Sequence, residues 1–92
     1  MDAWSVYIVR CADGSLYTGI ARDVARRVTE HNSNNRLASS YTRARRPVAL
    51  VYREAAPSRS AASRREHEIK RLKLDAKLAL IRMKRRGALA KE

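Results

Sequence analysis

The chain has 92 residues, which is the size of one small domain with a modest hydrophobic core. Its 21 Lys and Arg residues outnumber its 9 Asp and Glu residues, and the formal net charge is +12 at pH 7. Because such an excess repels itself in a compact fold, it indicates a polyanionic partner, with nucleic acid favoured over an anionic membrane surface. The single cysteine, Cys11, excludes an internal disulfide and a cysteine metal site.

The sequence carries no recognisable targeting or membrane-spanning segment. The first residues, MDAWSVY, lack the basic stretch and apolar run of a secretory signal. The longest apolar runs, VALVY and LALI, are too short to span a bilayer. We therefore expect a cytoplasmic protein with no membrane partner and no small-molecule cofactor.

The first predicted elements form a β-hairpin. Residues 4–11, WSVYIVRC, are rich in β-branched and aromatic side chains and predict a strand. Residues 12–14, ADG, are a strong turn signal, and the following SLYTGIA predicts the return strand.

The length of the turn decides where the two tyrosines of this hairpin lie. A three-residue turn with Gly14 in the left-handed region is a common hairpin type, and it would place Tyr7 opposite Gly19. Tyr7 and Tyr17 would then be diagonal neighbours on one face, about 5 to 8 Å apart at their Cβ atoms. Gly19 would leave space beside Tyr7 for a backbone or a ligand. A two-residue turn would instead place the tyrosines on opposite faces.

A helix, a loop and a third strand follow. Asp23 is a good N-cap for a short helix that contains Val24 and Val28. Residues 33–46 lack periodicity and predict a loop that carries four arginines. Pro47 stands at the start of a predicted strand, PVALVYRE, where proline is tolerated.

The C-terminal region is predicted to be helical. Its composition favours helix throughout RREHEIKRLKLDAKLALIRMKRR, and Asp75 as a cap would divide it into two helices with a kink between them. Gly87 predicts the helix end, so we expect a single domain over residues 1–86 and a basic, frayed tail over residues 87–92. The order β-β-α-β-α-α predicts an α/β (α+β) fold with a three-stranded antiparallel sheet flanked by helices.

Charged residues lie on helix faces that are expected to point inward. The i, i+3, i+4, i+7 stripe of the first helix comprises Val24, Arg27, Val28 and His31. An inward arginine needs an anionic partner or a solvated cleft. In the later helix Glu66 belongs to a similar row, so a carboxylate is expected to approach the same core.

Two phenols, a guanidinium, an imidazole and a carboxylate are thereby expected to converge, and this set suits phosphodiester hydrolysis. A carboxylate can hold one Mg²⁺ ion, which prefers oxygen ligands and can stabilise the leaving oxygen. An arginine can neutralise charge in the transition state. A phenol or an imidazole can position or deprotonate the attacking water.

These residues resemble the signature of the GIY-YIG nuclease superfamily. The first half of the signature reads SVY at residues 5–7, and the second reads YTG at residues 17–19. ARDVARRVTEHN resembles the arginine helix of the family, and SAASRREHEIKRL resembles its glutamate helix. The resemblance covers residues 3 to 80 and is greatest to small, stand-alone bacterial members with little besides the nuclease domain.

The resemblance implies a metal-dependent endonuclease that acts on DNA or RNA, with DNA favoured, and that uses one Mg²⁺ or Mn²⁺ ion. It implies Tyr7 as the activator of the attacking water and Tyr17 as a second hydroxyl near the scissile phosphate. It also implies that Arg27 binds the phosphate, that His31 helps to shuttle a proton, and that Glu66 ligates the metal.

The sequence departs from the family pattern at three places. Ser5 replaces the first glycine, Thr18 replaces an apolar residue, and Ile20 stands where some repair relatives have a lysine. We expect these departures to affect the efficiency of cleavage and the choice of nucleic-acid target more than the fold.

Each candidate also has an ordinary structural interpretation. Tyr7 and Tyr17 are typical of half-buried strand aromatics. Arg27 is one of many basic residues and faces water if the helix is rotated. His31 can interact with the dipole at a helix C-terminus.

Glu66 has two structural alternatives. Ser63 and Glu66 also have the spacing of a capping box, in which the glutamate bonds back to the serine backbone. Lys70 follows at i+4 and can form an ion pair with Glu66. A helix that starts at Ser58 or Ser60 would remove the capping role and favour the metal role.

Further basic residues are candidates for phosphate contacts, which position a nucleic acid without reading its sequence. They are Arg26, Arg43, Arg45, Arg46 and Lys70. Two alternative functions remain: a basic nucleic-acid-binding module on the same fold with weak or no cleavage, and a basic assembly protein that binds protein. Binding through phosphates weakens steeply with salt, which separates the second alternative from the others.

Overall fold

A three-stranded antiparallel sheet forms the centre of the structure, a computed structural model that describes residues 3–90, with side chains to residue 84. The strands, in the spatial order β2-β1-β3, are β1 (Trp4–Arg10), β2 (Leu16–Ala21) and β3 (Ala49–Ala56). The helices are α1 (Val24–Ser33), α2 (Ser40–Arg43), α3 (Arg59–Lys70) and α4 (Leu74–Ala90). The predicted sheet flanked by helices is confirmed, with one short helix, α2, added between α1 and β3.

The two faces of the sheet carry separate hydrophobic clusters because successive residues of a strand point to opposite sides. On one face, the buried residues are Val6, Ile8, Tyr52, Ala62, Ile69 and Ile81. On the other face, they are Tyr7, Val9, Cys11, Ala21, Val24 and Val48. Helices α3 and α4 therefore cover the first face, and α1 covers the second.

The hairpin turn has three residues, as predicted. Gly14 adopts a φ of 84°, and its amide donates a 2.9 Å hydrogen bond to the Cys11 carbonyl. Tyr7 is paired with Gly19 in the β1–β2 register. Tyr7 and Tyr17 both pack on the face covered by α1, which confirms that they share one side of the sheet.

The arginine-rich segment between α1 and β3 contains a helical turn that the sequence pattern did not predict. Helix α2 has four residues, which is too short to show a hydrophobic period. The Ser39 side chain caps it by accepting a 3.1 Å hydrogen bond from the Thr42 amide. The Thr42 side chain is fully buried, so this turn is part of the core and not only a surface loop.

Side-chain hydrogen bonds tie the ends of this segment together. The Asn32 amide donates to the Val48 carbonyl at 2.9 Å and accepts from the Val48 amide at 2.7 Å. The Nε of Arg46 donates to the His31 carbonyl at 2.6 Å. These bonds join the end of α1 to the start of β3 and thereby hold α2 beside α1.

Helices α1 and α3 begin at side-chain caps. Asp23 caps α1, as predicted. Ser58 caps α3 by accepting a 3.1 Å hydrogen bond from the Ala61 amide. Ser63 is therefore an interior residue of α3, and the alternative in which Glu66 completes a capping box with Ser63 is wrong.

The predicted division of the C-terminal region into two helices is confirmed by α3 and α4. Asp75 lies in the first turn of α4 and not at its cap position. Helix α4 continues through Gly87, where the sequence predicted an end. The predicted tail, residues 87–92, therefore begins within α4. Residues 91 and 92 lie outside the described residues, so the domain boundary at residue 86 stays a prediction. Between residues 3 and 90, no helix is both long and apolar enough to cross a membrane.

The caps of α3 can be tested by paired serine substitutions. Ser58→Ala removes the acceptor for the Ala61 amide, so we expect it to lower the free energy of unfolding by about 1 kcal/mol. Ser63→Ala replaces an exposed interior residue with a better helix former, so we expect no loss. Urea denaturation followed by circular dichroism measures both, and a larger loss for Ser63→Ala would contradict the assigned helix start.

Candidate active site

The Tyr7 ring lies across β2 at the position of Gly19. A Cβ atom at residue 19 would lie 2.5 Å from the Tyr7 Oη atom and 2.7 Å from its Cζ atom. Glycine is therefore required there, and Tyr7 is only 1% exposed. The space that the sequence predicted beside Tyr7 is filled by the ring of Tyr7 itself.

Tyr7 and His31 are joined by a buried hydrogen bond. The Tyr7 Oη and His31 Nε2 atoms are 2.8 Å apart, and the His31 Nδ1 atom is 2.7 Å from the Thr42 Oγ1 atom. His31 and Thr42 are both 0% exposed. Three elements, β1, α1 and α2, thus contribute one polar side chain each to a single buried chain of hydrogen bonds.

Tyr17 lies on the more exposed side of the hydrogen bonds that join Tyr7, His31 and Thr42. It is half-buried, and its ring contacts His31 edge-on with a centroid separation of 5.3 Å. It also stacks on Tyr41 at 5.9 Å, and the Arg45 guanidinium lies 3.9 Å from the Tyr41 ring centroid. The prediction that Tyr7 and Tyr17 lie close together on one face is confirmed. The His31 ring, which projects from α1, contacts both tyrosine rings.

Arg27 is held at the same place by α1. Its Nη1 donates to the Leu37 carbonyl at 2.7 Å and to the Glu30 carboxylate at 3.0 Å. Its side chain keeps 28% of its surface exposed, so the guanidinium also meets solvent. The charge of Arg27 acts on the Tyr7 phenol and lowers its pKa against the stronger effect of burial.

Glu66 approaches from the other layer of the fold. Helix α3 packs on the face opposite Tyr7, yet the Lys70 Nζ atom lies 6.0 Å from the Tyr17 ring centroid. Glu66 precedes Lys70 by one turn, pairs with it at 3.5 Å and is 24% exposed, and its charge raises the pKa of Tyr7. Because β2 is an edge strand, Glu66 and Lys70 reach the tyrosines around the edge of the sheet.

Burial controls the protonation of the two groups at the centre. It raises the pKa of Tyr7 to about 12, and the nearby Tyr17 and Glu66 add to the shift. Burial also lowers the pKa of His31 to about 4, and the charges of Arg27 and Arg46 act in the same direction. At pH 7 the site therefore holds a neutral phenol and a neutral imidazole.

The donor set is compatible with one divalent ion that keeps most of its water. Among the side chains that the structure describes, no group of three or more His, Cys, Asp and Glu residues lies close enough to hold a metal. Glu66 offers a partly exposed carboxylate whose ion pair with Lys70 is loose at 3.5 Å. One or two carboxylates with several waters is the usual environment of Mg²⁺, so Glu66 fits the role of a protein ligand.

Two of the basic candidates are largely engaged within the chain. Arg45 bonds to the Asp13 carboxylate at 3.1 Å and to the Tyr41 carbonyl at 3.0 Å. Arg46 donates to the His31 carbonyl at 2.6 Å and to the side chain of Asn35 at 2.7 Å. Both arginines organise the α2 segment, and a contact with nucleic acid at either of them stays a prediction.

The other basic candidates are more open to solvent. Arg26 is 76% exposed and pairs with Glu30 at 3.3 Å. Lys70 is half exposed, and Arg43 is an exposed residue that donates to the Asn35 carbonyl at 2.6 Å. Exposed pairs of this kind are weak, so these side chains can exchange their internal partners for phosphates.

Sequence reasoning missed two residues that border the site, Thr42 and Tyr41. Both lie in the segment without periodicity, where no pattern separates inward from outward side chains. The only local signal is the Ser39–Thr42 spacing of an N-cap, which the structure shows to be used.

Comparison with known proteins agrees with this geometry. Residues 3–79 match the model of the GIY-YIG catalytic domain. The chain belongs to the GIY-YIG family. The predicted membership is thus confirmed, and with it a fold of the nuclease type.

Similar GIY-YIG chains are small bacterial proteins. A UPF0213 protein of Desulfotalea psychrophila is 55% identical over 85 residues, which cover 92% of this chain and 76% of that protein. A UPF0213 protein of Staphylococcus aureus is 51% identical over 82 residues, which cover 89% of this chain and 98% of that protein. The solution NMR structure of a UPF0213 protein from Bacillus halodurans has a TM-score of 0.57 at 41% identity, covering 89% of this chain and 85% of that one.

The departures from the GIY-YIG signature all lie in the two strands of the hairpin. Ser5 and Thr18 are buried strand residues. Ile20 packs against the cluster beneath α3, on the face opposite Tyr7. A side chain at position 20 therefore reaches the phenols only around the edge of β2, as Glu66 does.

The close approach of β2 to the Tyr7 ring predicts a specific effect of adding one methyl group. Gly19→Ala would force the buried ring to move, so we expect a loss of about 1 to 3 kcal/mol in the free energy of unfolding and a changed His31 environment. Gly14→Ala is the matched control, because a Cβ there meets nothing within 4 Å and only the φ of 84° is strained. Urea denaturation and the His31 ring resonances in NMR spectra measure the two effects. Unchanged His31 resonances in Gly19→Ala would contradict the assigned packing.

The low pKa of His31 predicts an acid-dependent loss of stability. The unfolded chain takes up a proton near the usual pKa of 6.5, whereas the folded chain resists protonation down to about pH 4. The free energy of unfolding should therefore fall as the pH drops from 6.5 to 4, by about 3 kcal/mol from this residue. The slope of the free energy of unfolding against pH is measured for the native chain and for His31→Gln. The difference between the two slopes isolates the contribution of His31, because carboxylates titrate alike in both proteins. Equal slopes would show that His31 is not buried in its neutral form.

Proposed function

We propose that this protein is a metal-dependent endonuclease that hydrolyses phosphodiester bonds in nucleic acid, with DNA as the favoured substrate. The observation that carries the proposal is the convergence of five side chains at the β2 edge. They are Tyr7, Tyr17, Arg27, His31 and Glu66. Membership of the GIY-YIG family supports this function, and the charge of +12 suits a polyanionic substrate.

Arg27 and Glu66 have tasks that follow from their positions. Arg27 is charged and partly exposed, so it can bind the scissile phosphate and stabilise the charge that develops in the transition state. Glu66 would hold a Mg²⁺ or Mn²⁺ ion through its partly exposed carboxylate. When bound, such an ion stabilises the negative charge on the leaving oxygen.

The two phenols differ in access to substrate. Tyr17 is half-buried, whereas Tyr7 is 1% exposed and engaged with His31. Tyr17 is therefore the phenol that meets the attacking water at the exposed side of the site. Tyr7 lies deeper and does not contact the water directly. This order reverses the roles that the family resemblance alone implied for the two tyrosines.

Cleavage assays with paired variants test the proposal. Labelled single-stranded, duplex and branched DNA and RNA are incubated with Mg²⁺, Mn²⁺ or EDTA. We expect metal-dependent cleavage that falls about 10² to 10³-fold in Arg27→Ala and that is lost in Glu66→Gln. Thr29→Ala and Glu68→Gln are matched controls on the same two helices, and both should keep most of the activity.

The same assays separate the alternatives. Substrate that is retarded in a gel but intact in every metal condition would support a basic nucleic-acid-binding module instead. Binding that does not weaken between low and high salt would contradict phosphate recognition and favour a protein partner. Equal losses in Thr29→Ala and Arg27→Ala would contradict the assigned site.

A further inference from the structure

Thr42 has no role in the proposed function, yet it is one of the most deeply buried polar residues of the chain. It lies in α2, and its hydroxyl oxygen is 2.7 Å from His31 Nδ1. The same oxygen is 2.9 Å from the Ser39 hydroxyl and 3.2 Å from the Ser39 carbonyl. A buried histidine is thus held from α2 at one nitrogen and bonded to Tyr7 at the other.

Counting donors and acceptors decides the direction of these bonds. The Ser39 carbonyl can only accept, so the Thr42 hydroxyl donates to it. The Thr42 oxygen then accepts from the Ser39 hydroxyl and from a proton on His31 Nδ1. His31 Nε2 is left without a proton, and it accepts from the Tyr7 hydroxyl at 2.8 Å.

The reverse arrangement leaves groups unpaired. If Thr42 donated to His31 Nδ1, then Nε2 would carry the proton and donate to the Tyr7 oxygen. The Tyr7 hydroxyl proton would then need another acceptor. Among the described residues only His31 offers the Tyr7 hydroxyl an acceptor at hydrogen-bond distance, and the nearby Arg27 guanidinium offers only donors. The Ser39 carbonyl would also lose the Thr42 hydroxyl and keep only the Arg43 amide as a donor. Buried donors without acceptors are costly, so the first arrangement is favoured.

We propose that Thr42, supported by Ser39, is a positioning residue that holds neutral His31 in its Nδ1–H tautomer and thereby turns the Tyr7 hydroxyl proton away from the site. The lone pairs of the Tyr7 oxygen then face Arg27. Because the phenol can only accept on that side, it fixes the guanidinium where the proposed function needs it. This inference rests on the proposed function for its catalytic consequence, but the tautomer itself does not.

Long-range ¹H–¹⁵N correlation spectra of the histidine side chains test the tautomer without any substrate. In the native chain we expect His31 to show a protonated Nδ1 and an unprotonated Nε2 at pH 7. Observation of the Nε2–H tautomer in the native chain would overturn the proposal, even if every Thr42 variant failed to fold.

Substitutions then test the role of the Thr42 hydroxyl. Thr42→Val keeps the shape and removes the hydroxyl, so we expect His31 to lose the fixed tautomer and kcat to fall about 10 to 100-fold with little change in KM. Thr42→Ser should restore both. Thr29→Val removes an exposed threonine hydroxyl from α1 and is the matched control, for which neither readout should change.

The outcomes distinguish this proposal from the function on which it builds. An Nδ1–H tautomer that persists in folded Thr42→Val would overturn the role of Thr42. A native chain that shows the expected tautomer, loses it in Thr42→Val and never cleaves nucleic acid would overturn the proposed function alone. An equal fall of kcat in Thr29→Val would show that the loss is not specific to the hydroxyl in α2.

Discussion

A buried hydrogen bond between Tyr7 and His31 joins the hairpin to α1, and much of the site geometry depends on it. The bond can form because residue 19 has no side chain, which lets the Tyr7 ring lie against β2. His31 is fixed in turn by Thr42 from α2. The interior of this small protein is therefore organised by a network of buried hydrogen bonds as well as by its two apolar clusters. Such a network specifies one arrangement of its side chains when every donor and acceptor has a partner.

The second constraint is charge. A chain with a net charge of +12 repels itself in the compact state, and several of its many arginines also serve as internal hydrogen-bond donors. Arg46 bonds to the end of α1, Arg45 joins α2 to the hairpin turn, and Arg27 holds the Leu37 carbonyl. The basic groups left at the surface, such as Arg26, are those that a polyanion can reach. The same residue type thus serves both architecture and the proposed binding of phosphate.

The position of the site at the sheet edge also has a physical origin. The sheet has only three strands, so β2 has no neighbour on one side. The layer under α1 supplies the phenols, the imidazole and the guanidinium, and α3 in the other layer supplies Glu66. A carboxylate and a guanidinium can face the same phosphate without pairing with each other only if they approach from different directions, and the edge strand permits this.

The sequence by itself determined the features that depend on neighbours along the chain. The ADG turn set the register that places Tyr7 and Tyr17 on one face, Asp23 set the start of α1, and the stripe of α1 turned His31 inward. The tertiary structure alone decided the burial of Tyr7 at Gly19 and the contact of α2 with His31. Turns, caps and helix faces follow from local backbone geometry, whereas these contacts join residues far apart in the chain. Only the packing of both layers against the sheet brings such residues together, and no local period or spacing records it.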